Sequence, residues 1–281
     1  MKKSLIAVFV YALFFFSAGV AEAAEGPTVE AKAACLMEAE SGDVLLELDP
    51  HRKLYPASMT KIMTLLLAVE AIERGEASLD DMVVTSEYAA GMGGSQVWLE
   101  PGERMSLEKM LIAIAAGSAN DASVAVAEHL AGSEDAFVQM MNERARELGC
   151  QNTNFTNSHG LHDPDHYTSA YDMALIAREA VKHPKILELT SIKEYTFREE
   201  PKLVLWNTNK LLWWYPGTDG LKTGTTAEAG RNLTSTAQRD GVRLIAVVMG
   251  VDKTRGHFTE SMKLFNWGFS RYQFKELHPQ G

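Results

Sequence analysis

Three groups of residues in this sequence have the types and spacing for chemistry: Ser58 with Lys61, Ser118 with Asn120, and Lys222-Thr223-Gly224 followed by Thr225. A serine hydroxyl is a weak nucleophile until a base takes its proton, and a lysine amine does this only when neutral. Ser58 lies in Pro56-Ala57-Ser58-Met59-Thr60-Lys61, just ahead of an apolar run at helical spacing (Ile62, Leu65, Leu66, Val69, Ile72) that stops at Gly75. This puts Ser58 at or inside the first turn of a helix, with Lys61 on the same face. The amine then reaches the hydroxyl, and the partly positive helix N-terminus favours an alkoxide. Ser58 alone is better read as only an N-cap, because Ser-x-x-Lys arises about once by chance in a chain of this length. A second copy, Ser106-Leu107-Glu108-Lys109, needs no more than a cap.

Ser118-Ala119-Asn120 adds a second hydroxyl that can relay a proton and an amide that can hold a carbonyl or an ammonium. Lys222 brings positive charge beside the nucleophile, and Thr223 and Thr225 bring hydroxyls suited to a carboxylate. Gly224 in a strand lets a peptide substrate approach the backbone closely. Lys-Thr-Gly is expected in only about one chain in fifteen. The three groups in this order therefore mark a nucleophilic site far more firmly than any one alone.

Positioning such groups needs a sizeable core, and 281 residues supply one, as a single large domain or two intertwined lobes. With 46% hydrophobic and 23% charged residues the chain is an ordinary globular protein. Its formal charge of −10 argues against nucleic acid as a partner and supplies no polybasic membrane signal. Lys2 and Lys3, an apolar run from Leu5 to Phe16 and the Ala21-Glu22-Ala23 exit read as a secretory signal peptide over residues 1–23. Cys35 and Cys150 have no tight spacing and are expected as free or buried thiols.

Two short apolar runs around Ser41-Gly42-Asp43 predict a hairpin before the Ser58 helix. Residues 79–84 read as extended, 91–95 as a glycine loop and 106–149 as three helices capped by Ser106, near Ser118 and by Ser133. A polar loop over 151–165 precedes a helix over 168–181, which closes near His183-Pro184. Strands follow at 193–198, 203–206, 231–238 and 242–251, then a closing helix over 258–269. The polar stretch Thr218–Thr226 leads toward the strand from Arg231. The order suggests an α/β (α+β) architecture: a sheet joining the first hairpin to the late strands, an all-helical lobe, and a cleft between them.

The triplets resemble the SxxK, SxN and KTG signatures of the penicillin-recognising serine enzymes. Ser118 to Ala125, Ala131 to Phe137, His159-Gly160-Leu161 and Asp172-Met173-Ala174-Leu175 closely resemble the low-molecular-weight D-alanyl-D-alanine carboxypeptidases, and the likeness runs from about Ala31 to Phe269. The resemblance implies a penicillin-binding/β-lactamase-like transpeptidase fold, mainly an antiparallel sheet flanked by helices. It implies removal of the terminal D-alanine from peptidoglycan stem peptides outside the cytoplasmic membrane, with β-lactams as covalent inhibitors and no cofactor. It makes Ser58 the acylated nucleophile and Lys61 its base, with Ser118 and Asn120 moving protons and positioning substrate. Lys222 and Thr223 would engage the terminal carboxylate, and the backbone N–H groups of Ser58 and Thr225 would form the oxyanion hole. Burial and the Lys222 charge would lower the Lys61 pKa.

Where many relatives carry an arginine after the last strand, this chain has Lys253-Thr254-Arg255-Gly256-His257, leaving Arg255 and His257 as alternative carboxylate ligands. Relatives continue into a β-rich domain and an anchor helix, whereas residues 24–281 here are expected to form the catalytic domain alone, which leaves membrane attachment open. His159, His162, Asp163, Asp165 and His166 match no standard zinc spacing and are read as structural. Trp206, Trp213, Trp214 and Tyr215 are read as packing more than as a carbohydrate wall. A class A β-lactamase needs a glutamate in the loop after the second motif, and none occurs between Asn152 and Tyr171, so deacylation of a penicilloyl-Ser58 is expected to be slow. A non-catalytic penicillin or muropeptide sensor and a transpeptidase are the other readings.

Overall fold

The computed structural model describes residues 26–272, so the expected export signal over residues 1–23 lies outside the described residues. The chain opens with an antiparallel hairpin, β1 (Ala33–Glu38) and β2 (Val44–Leu48). A 3₁₀ turn, Ala57–Thr60, leads directly into α1 (Lys61–Glu73). Next come β3 (Met82–Val84), α2 (Glu87–Ala90), β4 (Arg104–Ser106), α3 (Leu107–Ala115), α4 (Asn120–Ala131) and α5 (Glu134–Glu147). A loop precedes α6 (Ala170–Ala180) and α7 (Pro184–Ser191). The hairpin β5 (Glu194–Arg198) and β6 (Leu203–Trp206) and the short α8 (Leu211–Trp214) then lead to β7 (Thr218–Thr226), β8 (Gly230–Arg239), β9 (Val242–Val251) and α9 (Gly256–Phe269).

The main sheet has the order β2-β1-β9-β8-β7, antiparallel throughout, so the first hairpin and the last strands share it as expected. Both faces of its centre are buried. In β1, Ala33, Cys35 and Met37 join the core shared with the helices before the late strands, while Ala34 and Leu36 face α9 with Phe258, Leu264 and Phe265. Burial on both sides explains why β1 and β9 read as continuous apolar runs rather than as alternating patterns. Helix α1 is buried on nearly all sides, from Lys61 to Ala71, which makes it the axle of the helical lobe. Truncating one of its core side chains, such as Leu66, costs about 2–5 kcal/mol.

Several boundaries differ from expectation. Ser58 sits in the 3₁₀ turn, not in the α-helix, which begins at Lys61. Helix α6 already ends at Ala180, and Pro184 is the first residue of α7, where its missing N–H costs nothing. Residues Thr218–Thr226 form an edge strand in their own right; polar side chains and two glycines hide its period. Ser106, Ser133 and Ser169 do cap helices, accepting the N–H of Lys109, Ala136 and Asp172 respectively. Cys35 and Cys150 are buried free thiols. Among the described residues no helix is long and apolar enough to cross a membrane.

Candidate active site

The Ser58 turn is wedged between β7, β8 and the polar loop that precedes α6. Asn232 of β8 donates from Nδ2 to the carbonyls of Tyr55 (2.9 Å) and Pro56 (3.2 Å), and its Oδ1 accepts from Gly250 N at 2.7 Å. A Cβ on Gly224 would stand 2.4 Å from Pro56 O and 3.1 Å from Met59 N. On the side a Cβ would occupy, the close approach that Gly224 permits is made by the Ser58 turn itself. Thr223 and Thr225, one residue to either side, line the cleft.

Lys61 is fully buried, with Nζ 3.2 Å from Ser58 Oγ, 2.6 Å from Asn120 Oδ1 and 2.5 Å from the carbonyl of His159. Burial first, then the positive charge of Lys222, holds its pKa well below the ordinary lysine value, while Asp121 acts in the opposite sense. A neutral amine has two N–H bonds and one lone pair. Asn120 Nδ2 donates to Gly93 O at 2.7 Å, which orients the amide so that its oxygen faces the lysine. Asn120 Oδ1 and the His159 carbonyl only accept, so in the neutral form they take the two N–H bonds and leave the lone pair for the Ser58 hydroxyl, whereas in the charged form the third N–H donates to Ser58 Oγ.

The surrounding cleft encloses about 380 Å³ and is lined by Ser58, Ser118, Thr223, Thr225, Arg255 and His257 among others. Of the remaining candidates, Lys61, Asn120 and Lys222 are buried behind it. Lys222 Nζ is 3.4 Å from Thr208 Oγ1, which also accepts from Thr223 Oγ1 at 2.6 Å. Burial lowers the Lys222 pKa to about 7. Lys222 is thus linked to the cleft lining through Thr208, which Thr223 shares. Ser118 joins α3 to α4 at a left-handed φ of 59°, a conformation uncommon outside glycine.

Arg255 and His257 both reach the cleft, on different terms. Arg255 is exposed, with its guanidinium 5.7 Å from the Trp214 ring centroid. His257 is buried against Phe258, and burial, aided by the charge of Arg231, pushes its pKa down to about 4. At neutral pH the cation is therefore Arg255, and His257 offers only a neutral ring.

Sequence reasoning missed Ser95, Thr208 and Lys210 as lining residues and Asn232 as a support of the Ser58 turn, and it read Trp214 as packing although Trp214 is exposed and lines the cleft. The glycine loop at 91–95 was visible, but not that Asn120 would hold it twice, donating from its side chain to Gly93 O and from its backbone N–H to Ser95 O, each at 2.7 Å. The five histidine and aspartate residues of the polar loop do not converge. His159 Nδ1 accepts from Leu161 N, His166 bonds through both ring nitrogens, and Asp163 caps Asp165 N. Among the described residues, the acidic and histidine side chains that do converge are Glu70, Glu179 and His183, and Arg144 already bridges the two carboxylates at 2.7 and 3.1 Å. Glu134 comes near Lys61 through His159, but its carboxylate is occupied by Ser158 N, Ser158 Oγ and Tyr88 OH.

Residues 20–253 match the family profile described as D-alanyl-D-alanine carboxypeptidase. The chain is 48% identical over 252 residues to D-alanyl-D-alanine carboxypeptidase DacF of Bacillus subtilis (strain 168), covering 89% of this chain and 64% of that protein. It is 38% identical over 274 residues to D-alanyl-D-alanine carboxypeptidase DacC of Escherichia coli (strain K12), covering 95% and 67%. The chain therefore spans about two thirds of the length of these relatives. Among solved structures, penicillin binding protein 5 from Haemophilus influenzae superposes with a TM-score of 0.84 at 38% identity, covering 88% of this chain and 72% of that one. Penicillin-Binding Protein D2 from Listeria monocytogenes in the ampicillin bound form gives 0.78 at 30% identity, covering 86% and 100%. The fold is that of these penicillin-binding proteins.

Proposed function

The chain belongs to the D-alanyl-D-alanine carboxypeptidase family, and on that premise we propose that it is an exported serine-type enzyme that removes the terminal D-alanine from peptidoglycan stem peptides. The observation that carries this reading is the fully buried Lys61 amine, with two acceptors for its N–H bonds and Ser58 Oγ in its third direction at 3.2 Å.

In the proposed reaction Lys61 Nζ takes the Ser58 proton as Oγ attacks the carbonyl of the penultimate residue. The N–H groups of Ser58 and Thr225 hold the oxyanion, and the C–N bond then breaks. Ser118 Oγ relays a proton to the departing D-alanine amine, leaving an ester on Ser58 that water hydrolyses. Thr223, Thr225 and Arg255 receive the terminal carboxylate, with Lys222 adding positive potential from behind. A β-lactam would acylate the same hydroxyl, and the engagement of Glu134 with Ser158 and Tyr88 supports slow release of that adduct.

The test follows free D-alanine from a diacylated Lys-D-Ala-D-Ala peptide. Release that is lost in Ser58→Ala supports the carboxypeptidase. Penicillin binding without release points to a sensor, and rapid penicillin hydrolysis to a β-lactamase. Transfer to an added amine in preference to water would identify a transpeptidase.

A further inference from the structure

The peptide unit between Ala57 and Ser58 is held from its carbonyl end. Thr60 Oγ1 donates to Ala57 O at 2.8 Å, and the same oxygen lies 2.7 Å from His166 Nε2. On the far side of the ring, His166 Nδ1 accepts the backbone N–H of Thr156 at 3.0 Å. A nitrogen that accepts an N–H carries no hydrogen of its own, so the neutral ring is protonated on Nε2 and donates to Thr60. Thr60 is then an acceptor toward His166, and its own hydrogen points to Ala57 O. The chain of donors runs one way, from Thr156 N–H through His166 and Thr60 to Ala57 O.

Thr60 is fully buried and His166 is 2% exposed, so bulk water does not replace either partner. Burial, together with neighbouring His159, keeps the ring neutral by lowering its pKa to about 3. The space around Ala57 O is also tight. A Cβ on Gly160, which has φ +90°, would lie 2.0 Å from that oxygen.

The C=O and N–H of a trans peptide lie in one plane and point in opposite directions. Drawing Ala57 O toward Thr60 therefore aims the Ser58 N–H the other way, and a hydrogen bond accepted by a carbonyl strengthens the N–H of the same unit as a donor. We propose that Thr60, oriented by His166, is a positioning residue that aims and polarises the Ser58 N–H as an oxyanion donor. This rests on the reading of Ser58 as the acylated nucleophile. Neither side chain touches the reacting atoms.

The experiment compares Thr60→Val, His166→Phe and His166→Gln with the parent enzyme, all with export signal removed. Acylation rates are read with a fluorescent penicillin, kcat and KM with the diacylated peptide, and the ester carbonyl stretch of the acyl-enzyme by infrared difference with a carbonyl-labelled penicillin. Thr60→Val is expected to slow acylation roughly ten- to hundredfold, less than or equal to the loss of an oxyanion donor. It should lower kcat with little change in KM and raise the carbonyl stretch, because a weaker hole polarises the ester less. His166→Phe should move both readouts in the same direction by a smaller factor. His166→Gln, whose amide can accept from Thr156 N–H and donate to Thr60, should restore them. An unchanged stretch and acylation rate in Thr60→Val would overturn the proposal, as would slowed acylation with an unchanged stretch. Failure of the underlying reading shows separately, as D-alanine release that survives Ser58→Ala.

Discussion

Lowering the pH from 7.5 to 5 should destabilise this protein steeply, because its fold buries neutral histidines. His159 and His166 are 4% and 2% exposed, and burial holds both rings at a pKa of about 3 against 6.5 for a free side chain. Below pH 6.5 the unfolded chain binds protons that the folded chain refuses, so acid favours unfolding. The histidines' share of the stability is whole above 6.5 and is lost progressively as the pH falls toward about 3. Within that window each ring contributes a slope of about 1.4 kcal/mol per pH unit. Between pH 7.5 and 5 this amounts to about 2 kcal/mol per ring, or about 4 kcal/mol for the pair. A typical domain has only about 5–15 kcal/mol in total. His257, with its pKa lowered to about 4, acts in the same direction. At Glu38 and Glu179 burial alone would raise the carboxyl pKa, but hydrogen bonds and nearby cations outweigh it, so both protonate only at lower pH. Urea unfolding followed by tryptophan fluorescence, at constant ionic strength from pH 7.5 to 5, measures the slope. His166→Gln should remove about 2 kcal/mol of the pH-dependent loss. A stability constant to within about 1 kcal/mol across this range would refute the burial argument, since either histidine alone would exceed it.

Two further outcomes follow from the cleft. Gly224→Ala would set a Cβ 2.4 Å from Pro56 O and 3.1 Å from Met59 N, both backbone atoms that cannot swing aside. Displacing the Ser58 turn from β7 should slow acylation about a hundredfold while circular dichroism stays native, and parental acylation would sink the packing claim. Lys222, with its pKa lowered to about 7, should lose its charge on the alkaline side. The kcat/KM profile for the peptide should therefore fall above about pH 7, and the corresponding limb in kcat should move upward because a bound carboxylate favours the charged amine. Lys222→Met should show a lower kcat/KM without that alkaline limb; an unchanged limb would assign it to another group.

The parts legible in sequence were those written in side chains with a pattern. Continuous apolar runs announced β1 and β9, because a strand buried on both faces has no polar positions to alternate. The spacing of Ser58 and Lys61 survived a change from α to 3₁₀ geometry, since three residues nearly close a turn in either. Strand β7 was legible only around Gly224, which was read in a strand; its full length was not. It forms one edge of the sheet, presents Thr223 and Thr225 to the cleft and turns Gly224 against another backbone, so hydrophobic alternation has no place in it. Helix α7 was hidden for a different reason: Pro184 looks like a stop but is also a favoured start.

What remained invisible is chiefly main-chain. Lys61 is held by the carbonyl of His159, Thr64 Oγ1 donates to the carbonyl of Ser158, and the Ser58 turn is fixed through the carbonyls of Tyr55, Pro56 and Ala57. Any residue type offers a carbonyl, so these contacts leave no signature of their own. Their indirect trace lies in the loop that read only as polar and irregular. Gly160 is there because a Cβ would collide with Ala57 O, and His166 is there with both ring nitrogens engaged. The same loop therefore grips Lys61 through one carbonyl and the Ala57–Ser58 peptide through His166 and Thr60. A displacement of that loop moves Lys61 and the Ser58 peptide together, so substitutions in it should couple with changes at both Lys61 and Thr60.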